Sequence, residues 1–400
     1  MIKNNLLVAL RQFRNFYSLL NLIGLVVGCT EIILILTWVN EDLSFEHFHK
    51  DYPSLYRAVS SIKKEDGGIQ LSALTPAPLA ARMKSEIEGI EQTCFLRQTE
   101  FFIKHEETGF YKFGLVASPE FFQMFNFPVV KGSIKAFEKE ADKMILTESL
   151  ARIFFGDQDP IGKIFTVAYR DIEVIAVIKD IPSNSHLQFD YVIPTEFLKA
   201  AGVANLESWN SYIYHTYFKT HHSIDDIQEK VRTVINKNDP EEGPDLTIQK
   251  MEDIHLRSQN IDGNMKGQGN VVYVKLFSWI AVFILIIVCI NYSNLATAKS
   301  IKRAKEIGVR KVVGAKRIQL AAYFFLESLV YVVLAFCAAL LLGWLLLPSF
   351  NKLADTNLVF SLAHSQLWKY LLMAILACSF LSGLFPAIIV SAQNPIVVLK

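Results

Sequence analysis

The chain has 400 residues, of which 52% are hydrophobic, 12% aromatic and only 20% charged, and its mean hydropathy is positive; this is too apolar a balance for an ordinary soluble domain and points to a membrane protein. Its 40 basic and 39 acidic residues leave a net charge of +1, so the chain is no polycation and nucleic acid is not an expected partner.

At the N-terminus Ile2, Leu6, Leu10 and Phe13 recur at helical spacing among Lys3, Arg11 and Arg14, the pattern of a helix lying in a membrane surface. The first apolar run, "LLNLIGLVVGCTEIILILTWV" at 19–39, is long enough to cross a bilayer. It is too long for a signal-peptide core and no small-residue cleavage site follows it, so it is expected to be a retained span. Mixed sequence then runs to residue 272. Within it "LTESLARIFFGDQDPIGK" at 146–163 predicts a helix capped by Thr147 and stopped by Gly156. "DIEVIAVIKDIP" at 171–182 predicts a mostly buried strand. "SIDDIQEKVRTVIN" predicts a helix with Ile224, Ile227, Val231 and Ile235 on one face. Three further apolar runs follow, at 276–298, about 320–347 and about 368–390.

The expected fold is therefore an α-helical membrane protein with four transmembrane helices and an α+β extracytoplasmic domain inserted between the first and second. The expected divisions are 1–39, the surface helix and first span; 40–272, the external domain; and 273–400, the remaining three spans.

Between the second and third spans lies "KSIKRAKEIGVRKVVGAKR" at 299–317, with eight basic residues and one acid. Basic segments stay in the cytoplasm, so both termini and this segment are expected inside, with residues 40–272 and the loop from Pro348 to Gln366 outside. Wound at about 100° per residue, Ile301, Ala304, Gly308, Val312 and Ala315 share one face while Lys302, Arg303, Glu306 and Arg310 share the other. Glu306 precedes Arg310 by four, a favourable helix pair. A loop that merely fixed topology would need neither the two faces nor Gly308 and Gly314.

Cys29, Cys289, Cys337 and Cys378 fall within the spans and leave Cys94 alone outside, so no disulfide framework is expected in the external domain. Polar residues inside spans carry more weight. Glu31 sits near the middle of the first span, where an ionised carboxylate costs at least about 2.5 kcal/mol; it reads as a contact between helices rather than part of a proton path. Asn291, Asn294 and Glu327 read as packing or interface residues. No phosphate-cradling G-x-x-x-x-G-K-[ST] loop, H-E-x-x-H or G-x-S-x-G occurs. "HFH" at 47–49, His221 and His222 lack further ligands at metal spacing and read as surface or interfacial histidines, and Cys94 reads as structural. No catalytic residue, metal or cofactor of the chain's own is expected.

The run "INYSNLATAKSIKRAKEIGVRKVVGAKRIQLAAYFFLES" at 290–328 closely resembles the FtsX-like permease domain of MacB-type ABC transporters. "SPEFFQMFNFPVVKG" from Ser118, "MILTESLARIFFGDQDPIGK" from Met144, "VIAVIKDIPSNSHLQFDYVIP" from Val174 and "DIHL" from Asp253 resemble the MacB-like periplasmic core domain. The resemblance implies a permease working with a separate or fused ATPase that carries the ATP and Mg. Closure of that ATPase would move the spans and shift the external domain, in export or extraction of peptide, lipophilic or lipoprotein-like substrates. It implies that the link between spans two and three docks on the ATPase through Lys302, Arg303, Ala304, Lys305, Glu306, Ile307, Gly308, Val309, Arg310, Lys311, Gly314 and Ala315. The expected partners are that ATPase, a second permease half, a periplasmic adaptor or cell-wall factor, and lipid of the bacterial inner membrane. Many relatives of this type carry two such halves in tandem, so a homodimer or a pairing with a related permease is expected. The rival reading is a signalling scaffold that regulates an external cell-wall partner without transport.

Overall fold

The structure is a computed structural model that describes residues 16–64, 67–202, 205–238, 243–265, 268–302, 317–354, 356–360 and 368–380. In chain order α1 (Phe16–Leu43) precedes β1 (Leu55–Lys63), β2 (Ile69–Ser72), α2 (Pro78–Glu86), β3 (Gln92–His105) and β4 (Thr108–Ala117). Next come β5 (Val129–Gly132), β6 (Lys143–Thr147), α3 (Glu148–Phe155), β7 (Ile164–Val167), β8 (Arg170–Ile178) and β9 (Tyr191–Pro194). The chain continues through β10 (His215–Lys219), α4 (Ile224–Arg232), β11 (Asp245–Lys250), α5 (Met251–Leu256) and β12 (Ile261–Asp262), and ends in α6 (Val271–Lys302), α7 (Arg317–Ala354) and α8 (Trp368–Phe380). It divides into two compact units, one formed by residues up to Leu43 together with those from Val272 onward, the other by Ser44–Val271.

In the first unit three helical segments, Leu22–Leu43, Val271–Asn294 and Ser328–Ala354, are long and apolar enough to cross a membrane, and α8 is a shorter apolar helix. The second half of the expected fourth span lies outside the described residues, so three to four apolar helices are candidate spans. They pack through small residues: a Cβ on Gly28 would lie 2.3 Å from Val288 Cγ2, so α1 and α6 meet where no side chain intervenes. Trp38 and Phe277 meet edge to face at 5.1 Å. Thr30 Oγ1 donates to Val26 O and, at 3.4 Å, to Ala339 O of α7.

The external loop expected to begin at Pro348 starts later. Pro348 lies inside α7, which continues to Ala354. A proline removes one backbone donor and crowds the preceding turn, but Leu347 and Phe350 on either side of it pack with Leu34, Trp38, Leu358 and Phe360, and this packing holds the last turns helical.

The second unit is α+β. Its 12-stranded sheet runs β12-β2-β1-β10-β3-β4-β9-β6-β8-β5, with β11 on β1 and β7 on both β3 and β8. The pairings β3-β4-β9-β6-β8-β7 return to β3, so these strands close into a ring, filled by Ile103, Val116, Leu146, Phe165, Ile172, Val174 and Tyr191. Strand β8 alternates as expected of β-branched sequence, with Ile172, Val174 and Ala176 fully buried. Helix α3 starts and stops where its residues dictate: the Thr147 hydroxyl accepts from Leu150 N, and Gly156 ends the helix at φ +57. The helix expected over 223–236 is broken at Thr233 into α4 and a short helix at Val234–Asn238. The break lets Val234 and Ile235 join Ile227 and Val231 in one core.

Candidate functional site

The chain passes between its two units twice, after Leu43 and near Val271. Inside the second unit each connection is tied to buried polar side chains.

The first connection is fixed within three residues of α1. Asn184 Nδ2 donates to the Ser44 carbonyl and hydroxyl at 3.1 and 3.0 Å, and Glu46 N donates to Asn184 O at 2.9 Å. Glu46 takes the left-handed backbone, φ +65, a conformation that costs a non-glycine residue energy and persists only where its surroundings enforce it. That turn puts its carboxylate inside the domain at 1% exposure. Its Oε1 accepts from His186 N at 2.5 Å and from His186 Nδ1 at 2.8 Å, and its Oε2 accepts from Ser185 Oγ at 3.4 Å. His49 Nε2 lies 3.3 Å from Oε2, and His49 Nδ1 accepts from Asn126 N at 3.0 Å. Burial alone would raise the Glu46 carboxyl, but the two histidines outweigh it and hold the group well below the usual carboxylate range.

The relay continues from His186 Nε2 to the Tyr217 hydroxyl at 2.7 Å, whose own ionisation burial suppresses. Opposite Tyr217 across the pairing of β10 with β1 lies Arg57, a residue with no exposed surface. The guanidinium donates to Gln249 Oε1 from Nε at 3.2 Å and Nη2 at 2.6 Å, to Ser258 Oγ at 3.4 Å and to Asn264 Oδ1 at 2.7 Å. No carboxylate pairs with it among the described residues. His215, next on the same face of β10, is kept uncharged, since burial, with Arg57 and His186 nearby, pushes it down to about 3.

The second connection is held beside Arg57. Asn264 Nδ2 donates to Ser258 O, Gly269 N donates to His255 O at 2.9 Å, and Gln259 Nε2 reaches Gly269 O at 3.0 Å. The His255 ring is covered by Phe45 at 3.3 Å and 6°. A Cβ on Gly269 would lie 2.5 Å from His255 Nε2. Residues from just after α1 and just before α6 thus touch the same imidazole.

The residues singled out from sequence are placed as follows. Residues 303–315 of the basic segment lie outside the described residues, and Lys302 is the last residue of α6. Glu31 is exposed in α1, one turn beyond exposed Val27 and two beyond Ile23. Asn291 and Asn294 are exposed in α6, with Asn291 Nδ2 3.6 Å from the position a Cβ on Gly24 would take; Glu327 lies in α7. Cys94 is fully buried, and burial pushes its thiol well up. His221 pairs with Glu91 at 2.5 Å near the surface. His49, expected to be a surface or interfacial histidine, is 1% exposed; its Nδ1 accepts from Asn126 N and its Nε2 lies 3.3 Å from the Glu46 carboxylate.

The relay itself was missed. Its signals were an arginine inside the apolar strand "LYRAVSS" and the Glu-x-x-His spacing of Glu46 and His49. Neither identifies His186 or Tyr217 as the link.

Family models match most of the chain: the MacB-like periplasmic core domain over residues 18–234 and the FtsX-like permease C-terminal over 278–395. The chain is 28% identical over 205 residues, half of its length, to the macrolide export ATP-binding/permease protein MacB of Aggregatibacter actinomycetemcomitans, a match covering 29% of that protein. It is 23% identical over 192 residues, 46% of its length, to the uncharacterized ABC transporter permease YknZ of Bacillus subtilis, covering 44% of that protein. The matched region is thus less than half the length of either relative. The crystal structure of the periplasmic region of MacB from Actinobacillus actinomycetemcomitans matches with a TM-score of 0.43 and 12% identity, over 51% of this chain and 91% of that one.

Proposed function

Because the chain belongs to the FtsX-like permease family with a MacB-like periplasmic core domain, we propose that this ABC transporter permease couples ATP hydrolysis on a separate ATPase to movement of its periplasmic domain. The single observation that carries the reading is that residues beside both crossings of the chain, Ser44 and Glu46 at the first, Asn264 and Gly269 at the second, are held by hydrogen bonds inside the second unit. The ATP and Mg belong to the partner, which docks on the segment Lys302 to Ala315 in the cytoplasm, and a second permease half completes the complex. Both termini lie inside. The cargo class is a peptide, lipophilic or lipoprotein-like compound taken from the periplasmic side. The relatives are named for macrolide export and ABC permease function, which favours transport over a cell-wall scaffold.

The test is capture of an ATPase by the full chain in detergent. Gly308→Glu and Arg310→Glu are expected to abolish capture; an intact complex in both variants sinks the docking site. Transport is separated from scaffolding by whether ATP hydrolysis in the captured complex rises with exported compounds or only with a bound cell-wall hydrolase.

A further inference from the structure

Two histidines face the buried Glu46 carboxylate, and they differ in what a second proton would do. His186 gives its Nδ1 proton to Glu46, an acceptor only, and its Nε2 accepts from the Tyr217 hydroxyl at 2.7 Å. A proton added at Nε2 meets an oxygen that also accepts, so that bond persists with its direction reversed. His49 has no such freedom. Its Nδ1 accepts the backbone N–H of Asn126 at 3.0 Å, so its own proton sits on Nε2, 3.3 Å from Glu46 Oε2. A second proton would go to Nδ1 and set two donors face to face, which breaks the bond and leaves the Asn126 N–H without a partner. The His49 side chain has no exposed surface, and Phe125 and Phe127 flank its ring at 5.2 and 5.3 Å. Lys50 N donates to Asn126 Oδ1 at 3.0 Å, so Asn126 is bonded twice to the segment after α1. The charged and titratable groups around the two rings are Glu46, Tyr217 and His215 of β10, Arg57 of β1 and the Cys94 thiol of β3. Arg57 is a cation and Glu46 an anion throughout the range in which imidazoles titrate, so each imidazolium adds unbalanced positive charge to the interior.

We propose that Glu46, His49 and Asn126 form an acid-opened clasp on the segment that follows α1, closed while His49 Nδ1 is a lone pair and open once that nitrogen carries a proton. Histidine is the side chain whose charge changes between about pH 5 and 8. The clasp belongs to the periplasmic domain, so it responds to acidity outside the inner membrane. It works without an ATPase or a cargo, and its test stands apart from the function proposed above.

The experiment is hydrogen–deuterium exchange on the full chain in lipid nanodiscs at about pH 7.5 and about pH 5.5, with rates corrected for the intrinsic effect of pH on exchange. The Asn126 amide reads the bond to His49 directly. Acid is expected to speed its exchange, and that of residues 44–49, about tenfold while α3 stays unchanged. His49→Gln carries no titratable group and should abolish that response. An unchanged Asn126 amide overturns the clasp, as does equal acceleration in α3 or a response that survives in His49→Gln. If His49→Gln is already open at the higher pH, NMR of isotope-labelled histidine nitrogens in the wild-type chain decides. A proton gained at His49 Nδ1 over the interval in which exchange rises supports the clasp; an Nδ1 that stays unprotonated overturns it.

Discussion

At the scale of single residues, the charges that matter are the ones water cannot reach. Glu46 has its carboxyl held below the ordinary range by His186 and His49. A depressed carboxylate contributes stability above its unfolded value of about 4.3, and that contribution is lost as pH falls through its folded value. Glu46→Gln is therefore expected to destabilise residues 44–271 by about 2 kcal/mol at neutral pH. The difference from wild type should narrow in acid, measured by urea unfolding at a series of pH values; a constant difference would mean that packing, not charge, is lost. His215 has the same sign by another cause: burial pushes it down to about 3. Its neutral form contributes stability above the unfolded value of about 6.5, and falling pH removes that over the interval between the two values. His215→Gln should flatten the acid limb of the stability curve there. In the membrane unit Gly28 is the sensitive position, because its Cβ would enter Val288. Gly28→Ala should cost about 1–3 kcal/mol in detergent, and Val288→Ala in the same chain should restore most of it.

At the scale of elements, short-range chemistry was legible wherever it settles a boundary. Thr147 and Gly156 mark both ends of α3 in the sequence and in the structure; Thr147→Ala should destabilise the domain by about 1 kcal/mol in thermal melts, and no shift would mean another group takes over the Leu150 N–H. Strand β8 announced itself by its run of β-branched residues. Boundaries set by distant contacts were not legible. Nothing near Pro348 indicates that Leu347 and Phe350 will pack with Leu34, Trp38 and Leu358. The spacing placed Ile235 with Ile227 and Val231, but nothing around Thr233 shows that the helix breaks there and that Val234 joins the same core. The polar residues are the extreme case, since Arg57 and Tyr217 face each other across the pairing of β1 with β10 while Glu46, His186 and Asn264 reach them from loops far apart in the chain. Residue types alone made His49 look like a surface or interfacial histidine; only the fold placed Asn126 and Glu46 beside it.

At the scale of the whole molecule, Ser44–Val271 forms its own compact unit with its own apolar cores. Produced without the apolar helices, it is expected to fold and unfold in one cooperative transition by circular dichroism; a drifting, non-cooperative signal would show that the membrane helices complete it. Within that unit the strands divide by role. Strands β1, β10 and β11 carry Arg57, Tyr217 and Gln249, whereas the closed ring begins at β3. Among the described strands the ladder passes from one group to the other through the five-residue pairing of β10 with β3, His215↔Leu96 to Lys219↔Gln92. That pairing is a seam. Pulled along the strands, its hydrogen bonds share the force and yield together; pulled across them, they open one at a time, as a zipper does. The direction of any force on β10 would thus set how much of it the seam passes to the ring before it parts.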